Sequence, residues 1–449
     1  MFGMKDLLQM LYCARVSIDS RTLSPGEIFC DLSCNEKYVR DAISHGASAV
    51  VSADLSYLAH DWQCNNDLLC VDGTIFYQHD AYDFLKHMAM YKRRNVQAKY
   101  IAVTGSVGKT STKEMIAHVL ASFCNVYKTH ANFNNELGVP LCLSNISDDA
   151  DVGVFELGMS ELYEISRMKE LIQPDISVIL NVESVHLESL HSLVNVAYAK
   201  SEILPSDIAI VSADSAFTEF FVQKNLSAGG RTYTFSLGAM KAFTYTRCDC
   251  YVQAYRDDGI YLQLTVVVFG KTITYSLKYA SECSVASSLI TLMIAHVLGY
   301  DLHCAAEAIQ SYVNPLRLQI QHYPNGIWID DTYNANIYSL RSACQSLCRI
   351  SGNSRKVLIL GDFLGIGAAS VAVHQSIAAM IGKYGINCLL CTGDQMYHLH
   401  KIVSDSLWFP SHDLLQAQLE HIVHANDAVL IKGSHGMEMW KIHPPRVML

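Results

Sequence analysis

Short apolar runs separated by polar, helix-like stretches recur through most of the chain. Tyr100 to Val103, Val152 to Phe155 and Ile176 to Leu180 are runs of this kind, each followed by polar residues. The pattern predicts buried parallel strands whose carboxyl ends carry polar groups. Tyr251 to Tyr275 instead alternates and is rich in Val, Thr and Tyr, which predicts an antiparallel patch. Around Asn314-Pro315 the pattern restarts. Trp328-Ile329, Val357 to Leu360, Cys388 to Cys391 and Ala428 to Ile431 are strand-like, with helical stretches between them, as in a doubly wound sheet. The first ninety or so residues read as a small α/β unit, and the basic stretch Met88 to Ala98 reads as a linker. The most apolar helical run, Val285 to Leu298, contains Ser287, Ser288, Thr291 and His296. It falls short of the ~20 apolar residues that a bilayer requires. Lys5 and Asp6 interrupt the N-terminal apolar stretch, so neither a signal peptide nor an integral membrane segment is expected.

Length divides this pattern into units. A single core stops growing near ~250–300 residues, and the chain has 449, so two or three domains are expected. Motif placement makes it three, spanning 1–94, 95–313 and 314–449. Half the residues are apolar and 17% are charged, which excludes a disordered chain. The formal net charge of −10 argues against a nucleic-acid partner. Fifteen cysteines, an odd number in a long chain, suit reduced thiols in a cytoplasmic protein better than a disulfide framework. Cys388 and Cys391 have C-x-x-C spacing, but leucines fill the gap and a buried strand explains them.

The sharpest chemistry lies in Thr104-Gly105-Ser106-Val107-Gly108-Lys109-Thr110-Ser111, between the Tyr100 strand and a helix with Met115, Ile116, Val119 and Leu120 on one face. Glycines let backbone N–H groups close around phosphate oxygens at a helix N-terminus. Lys109 is placed to neutralise β/γ-phosphate charge, and the Thr110 hydroxyl to ligate Mg²⁺. The spacing is not the general G-x-x-x-x-G-K-[ST], because Val103 holds the first glycine position.

The variant Thr104 to Glu114, T-G-S-x-G-K-T-x-T-K-E, resembles the Mur ligases, most closely the MurF branch. Asn132 to Pro140, Glu156-Leu157-Gly158-Met159, Asn181 through Glu188, Ala199 to Ile203, Asp330 to Asn336, Leu360-Gly361-Asp362 and Lys432-Gly433-Ser434 continue the likeness in chain order. Ile18 to Arg21 with Pro25-Gly26 is similar to the family's uridine-nucleotide segment. The resemblance implies an α/β chain of three domains: a small N-terminal uridine-nucleotide domain, a central P-loop-type ATPase domain with a mostly parallel sheet, and a Rossmann-like C-terminal domain. It also implies an ATP-dependent peptide ligase joining D-alanyl-D-alanine to UDP-N-acetylmuramoyl-tripeptide through an acyl phosphate, in peptidoglycan precursor synthesis.

On that reading Thr110, Glu156, His186 and Lys200 hold Mg²⁺, two ions in all, with Lys200 carbamylated. Lys109, Glu156, His186 and Lys200 carry the catalysis. Thr104 to Ser111, Arg317, Asp331, Asn334 and Asn336 bind ATP, while Ser20, Arg21, Asn134 and Asn135 bind substrate. Other readings remain beside these: Lys200 as a solvated helix lysine, Arg317 as a surface arginine, Ser20 as a turn cap, and the Asp and Asn residues as a polar turn. The chain is expected to be a monomer. It departs from the family at Ser287, Leu316, Ile337, Tyr338 and His435, and at Asn35 to Tyr38. Two alternatives are a related amino-acid ligase of the MurE or folylpolyglutamate type, and a nucleotide-binding regulatory protein that has lost ligation.

Overall fold

Three sheets follow one another along the chain. The computed structural model describes residues 4–56, 68–71, 73–185, 187–240, 248–258, 260–278, 280–314, 318–323 and 326–445. The first sheet has five strands in the order Val16–Ser17, Ile28–Asp31, Ala49–Ser52, Thr74–Gln78, Leu68–Val71, parallel except for the last pair. The second has nine. From the Val126–Lys128 edge it runs through Val152–Glu156, Lys99–Thr104, Ile176–Ile179, Ile208–Ser212 and Arg231–Ser236, all parallel. Cys250–Asp257 continues it in parallel, and Tyr261–Val268 and Lys271–Lys278 then follow as antiparallel neighbours, which accounts for the alternating Tyr251 to Tyr275 pattern. The third has six strands, five of them mutually parallel and one antiparallel, Gln319–Tyr323, at its edge.

The central parallel strands are mostly apolar because both faces are covered. Ile101 and Val103 join one core with Met115, Ile116, Val119 and Leu120, whereas Tyr100 and Ala102 join the opposite core with Phe155 and Leu157. The third sheet repeats the arrangement, with Leu358 and Leu360 on one side and Val357 and Ile359 on the other. Helices on both faces of a mostly parallel sheet define the α/β class. The helix Lys109–Leu120 is more enclosed than a one-faced pattern implies, since Thr112, Lys113 and Glu114 are buried as well.

The stretch Met88 to Ala98 is not a linker. Most of it is the C-terminal half of the helix Ala81–Asn95, in which Met88 and Ala89 are buried. Its basic residues have specific partners. Lys92 pairs with Asp148 at 2.8 Å and lies over the Tyr12 ring, while Arg93 donates to the carbonyls of Ile172 and Gln173. Those carbonyls end the helix Glu164–Ile172, where a cation is favoured. Cys388 and Cys391 lie on a strand, and burial pushes the Cys391 thiol up to about 12. Among the described residues, no helix is long and apolar enough to cross a membrane.

Candidate active site

The strand Lys99–Thr104 ends in a loop that turns directly into the helix Lys109–Leu120. Gly105 allows that turn. A Cβ there would stand 2.7 Å from the Leu180 Cβ, so no other residue fits without displacing the next strand's exit. Gly108 takes the left-handed conformation, φ 91°, at the helix N-cap. The first-turn amides of Lys109, Thr110 and Ser111 have no acceptor within the helix and form an anion site together with the helix dipole. Lys109 Nζ donates to the Gly105 carbonyl at 2.9 Å, and Thr104 Oγ1 donates to Leu157 O at 2.9 Å.

Glu156 closes the neighbouring strand and is 1% exposed. Its Oε1 accepts from Thr110 Oγ1 at 3.2 Å and from Asn134 Nδ2 at 2.7 Å. Its Oε2 is buried with no hydrogen-bond partner among the described residues. A bare carboxylate oxygen in a buried wall costs free energy unless something electropositive meets it, so the pair Thr110–Glu156 suits a hard cation. Lys200, in the helix Leu193–Ser201, is 2% exposed. Burial, reinforced by the charge of Lys109, pushes its pKa well below the usual lysine value. A solvated helix lysine is therefore not what the fold makes of it. His186 and Arg317 lie outside the described residues.

A cavity of about 490 Å³ lies between the second and third units. Ser106 to Ser111, Asn134 and Glu156 line one wall, and Asp331, Asn334 and Asn336 line the other. The last three are engaged locally too. Asp331 Oδ2 pairs with Lys432 Nζ at 2.5 Å, and Asn334 Oδ1 accepts from the Ala335 amide at 2.8 Å. Asn336 caps the helix Ile337–Ser351 through a reciprocal exchange with Ser339. Thr104, Gly105 and Lys200 do not line the cavity. Ser20, Arg21 and Asn135 lie apart from it. Ser20 is buried; Arg21 is exposed and bidentate on Asp19, whose carboxyl it holds below the ordinary range. Asn135 Oδ1 accepts from the Gly138 amide at the start of a helix.

Two buried lysines add to the site without having been singled out from the sequence. Lys113 donates to the carbonyls of Thr129 at 2.7 Å and Ala131 at 3.2 Å, which fixes the segment leading to Asn134. It also pairs with Glu114 at 3.0 Å. Lys432 ties Asp331 to the last strand. Both fall inside segments that resemble the family, where the sequence shows position but not contacts. Of the family departures, Ser287 Oγ donates to Cys283 O and accepts from Thr112 Oγ1, both at 2.8 Å, on the cavity wall.

A model of the Mur ligase middle domain matches residues 103–294, and a model of the Mur ligase, glutamate ligase domain matches 316–435. The chain is 29% identical over 450 residues to UDP-N-acetylmuramoyl-tripeptide–D-alanyl-D-alanine ligase of Rickettsia prowazekii, covering 97% of this chain and 96% of the other. It is 31% identical over 366 residues to the enzyme of the same name from Buchnera aphidicola, covering 80% and 78%. Among solved structures, MurF from Acinetobacter baumannii superposes with a TM-score of 0.81 at 24% identity, covering 95% and 92%. MurF ligase from Thermotoga maritima in complex with ADP gives 0.77 at 21%, covering 96% of each chain. At those identities the structural likeness is one of fold.

Proposed function

The chain belongs to the Mur ligase family, and from that premise we propose that it joins D-alanyl-D-alanine to UDP-N-acetylmuramoyl-tripeptide, driven by ATP, in peptidoglycan precursor synthesis. The observation that carries the reading is the half-satisfied Glu156 carboxylate beside the phosphate loop, in a chain whose relatives are named as this ligase along nearly their whole length. Those names favour it over a MurE or folylpolyglutamate type and over a regulatory protein without ligation.

The chemistry has two steps. A substrate carboxylate attacks the γ-phosphorus of ATP, giving an acyl phosphate and releasing ADP. The dipeptide amine then attacks the acyl carbon, forming the amide and expelling phosphate. In this reading the amides of the first helical turn and Lys109 bind the nucleotide phosphates, with Thr104 to Val107 shaping the loop. Magnesium, when bound, neutralises charge that builds between the phosphate and acyl oxygens. Thr110, Glu156 Oε2 and His186 would hold one ion, and a carbamylated Lys200 the second. A neutral amine is the form that adds to CO₂, creating an N–C bond and releasing a proton, and the depressed Lys200 pKa favours that form. Arg317, Asp331, Asn334 and Asn336 serve the nucleotide from the third unit; Asn134 and Asn135 position substrate, and Ser20 and Arg21 meet the uridine diphosphate. Residues 1–94, 95–313 and 314–449 are the corresponding domains of a cytoplasmic monomer. Phosphate release with UDP-N-acetylmuramoyl-tripeptide, measured with and without D-alanyl-D-alanine, tests the proposal: dipeptide-dependent release supports it, and its absence overturns it.

A further inference from the structure

Just beyond the paired strands, the Ser106 amide still reaches a backbone acceptor, the Asn181 carbonyl at 3.2 Å. The Asn181 side chain adds to that contact and extends it along the loop. The amides of Ser106 and Val107 both donate to Asn181 Oδ1, at 3.0 and 2.9 Å, and Asn181 Nδ2 donates back to the Val107 carbonyl at 2.9 Å. Two residues on, one hydroxyl completes the join: Ser106 Oγ donates to the Glu183 carbonyl at 3.2 Å and accepts from the Glu183 amide at 2.8 Å. The next amide, Ser184 N–H, donates to the hydroxyl of Tyr338 at 3.1 Å.

Tyr338 belongs to the third unit, in the first turn of the helix Ile337–Ser351. The same helix is tied at its far end, where Arg349 pairs with Asp257 at 2.9 Å and donates to the Ala280 carbonyl. About 16 Å of helix, at 1.5 Å per residue, separates the two tethers. The helix therefore spans the boundary between second and third units, with one foot on the segment that braces the phosphate loop.

We propose that Asn181 to Ser184 is a strut coupling the seating of the third unit to the shape of the phosphate loop, with Asn181 as its positioning residue and Tyr338 as the contact through which seating is felt. This rests on the ATP-dependent reading. With Tyr338 in place the strut is pinned at both ends, and the loop amides are held before the nucleotide arrives, which reduces the ordering cost of binding. Without it, Asn181 and Ser106 still hold the loop, but the third unit no longer stiffens it.

The test is ADP·Mg²⁺ affinity, by calorimetry on the full chain, for wild type, Tyr338→Phe, Asn181→Ala and the double variant. Loss of one neutral hydrogen bond weakens binding by about 3- to 10-fold, so Tyr338→Phe is expected in that range with an unchanged melting temperature. Asn181→Ala, which removes three contacts, is expected to weaken it more. The double variant should be no weaker than Asn181→Ala alone, because both act through one element. Should Asn181→Ala fail to fold, Ser106→Ala cuts the strut at its middle and takes its place in the cycle. Unchanged affinity in Tyr338→Phe, or single effects that simply multiply, overturns the strut. ADP binding needs no turnover, so a wild-type chain that binds ADP without dipeptide-dependent phosphate release defeats the ligase reading alone. One that binds no ADP defeats both.

Discussion

The second and third units each bury a lysine near the shared cavity, and treat it in opposite ways. Lys432 is 0% exposed and faces the Asp331 carboxylate with the carbonyls of Asp331 and Asn334 around it. Lys200 is 2% exposed, and the charge that reaches it is the like charge of Lys109. Burial alone therefore does not decide what a lysine is for. The group that faces it matters as well: an opposite charge makes a fixed ion pair, whereas burial, reinforced by a like charge, depresses the pKa of the amine. The first is a device for holding two strands and a turn together. The second leaves a buried amine whose pKa is depressed.

The contrast breaks if activity survives at Lys200. A volume-conserving Lys200→Met change is expected to lower dipeptide-dependent phosphate release by about 100-fold or more, with a melting temperature equal to wild type or above it. Undiminished turnover would remove Lys200 from the site. Next in size, Lys432→Met should cost about 3–5 kcal/mol of stability in urea titrations, because it strands the buried Asp331 carboxylate. Adding Asp331→Leu should recover most of that loss. A Lys432→Met chain as stable as wild type would mean that the pair is not a fixed ion pair at all.

A smaller effect sharpens the comparison through pH. The folded-state pKa of Lys200 is below that of the unfolded chain, so on lowering pH from 10.5 the unfolded state takes up the proton first. Wild-type stability should therefore fall relative to Lys200→Met as pH drops through that window in CO₂-free buffer, and the gap should stop growing below the folded-state value. A constant gap would contradict the depressed pKa. Smallest is the acid limb at Glu114. Burial pushes this carboxyl up, but Lys128 and Lys113 together outweigh it and leave it below its usual 4.5. Its contribution is present above the ordinary carboxylate pKa and is lost as pH falls through the lower folded value. Glu114→Gln should flatten that part of the acid unfolding curve, followed by circular dichroism.

What could be read from the sequence was what depends on near neighbours. The phosphate loop is local, since strand, glycines and helix are consecutive, and the Tyr251 to Tyr275 alternation reports a half-exposed antiparallel surface directly. The α/β class and the Mur ligase likeness followed from such pieces in order. Non-local partners were not legible. The basic run at Lys92 to Arg94 reads as part of a linker because nothing nearby announces Asp148 or the carbonyls of Ile172 and Gln173. Asn181 stood inside a recognised stretch, yet its service to amides at Ser106 and Val107 depends on two strands ending side by side. Lys200 needs both its burial and its neighbour Lys109 before it stops resembling an ordinary helix lysine.

The nine-stranded sheet has two open borders, and its ends bear on how the chain behaves in a crowd. At one border the strand Val126–Lys128 is only three residues long. At the other, Lys271–Lys278 begins and ends in an exposed lysine, and the Gln310 side chain accepts from the Ser276 amide at 3.1 Å. A foreign strand seeking to extend the sheet meets too little ladder on one side, and two ammonium groups with a blocked amide on the other. The largest sheet of the chain is thereby guarded against edge-to-edge aggregation.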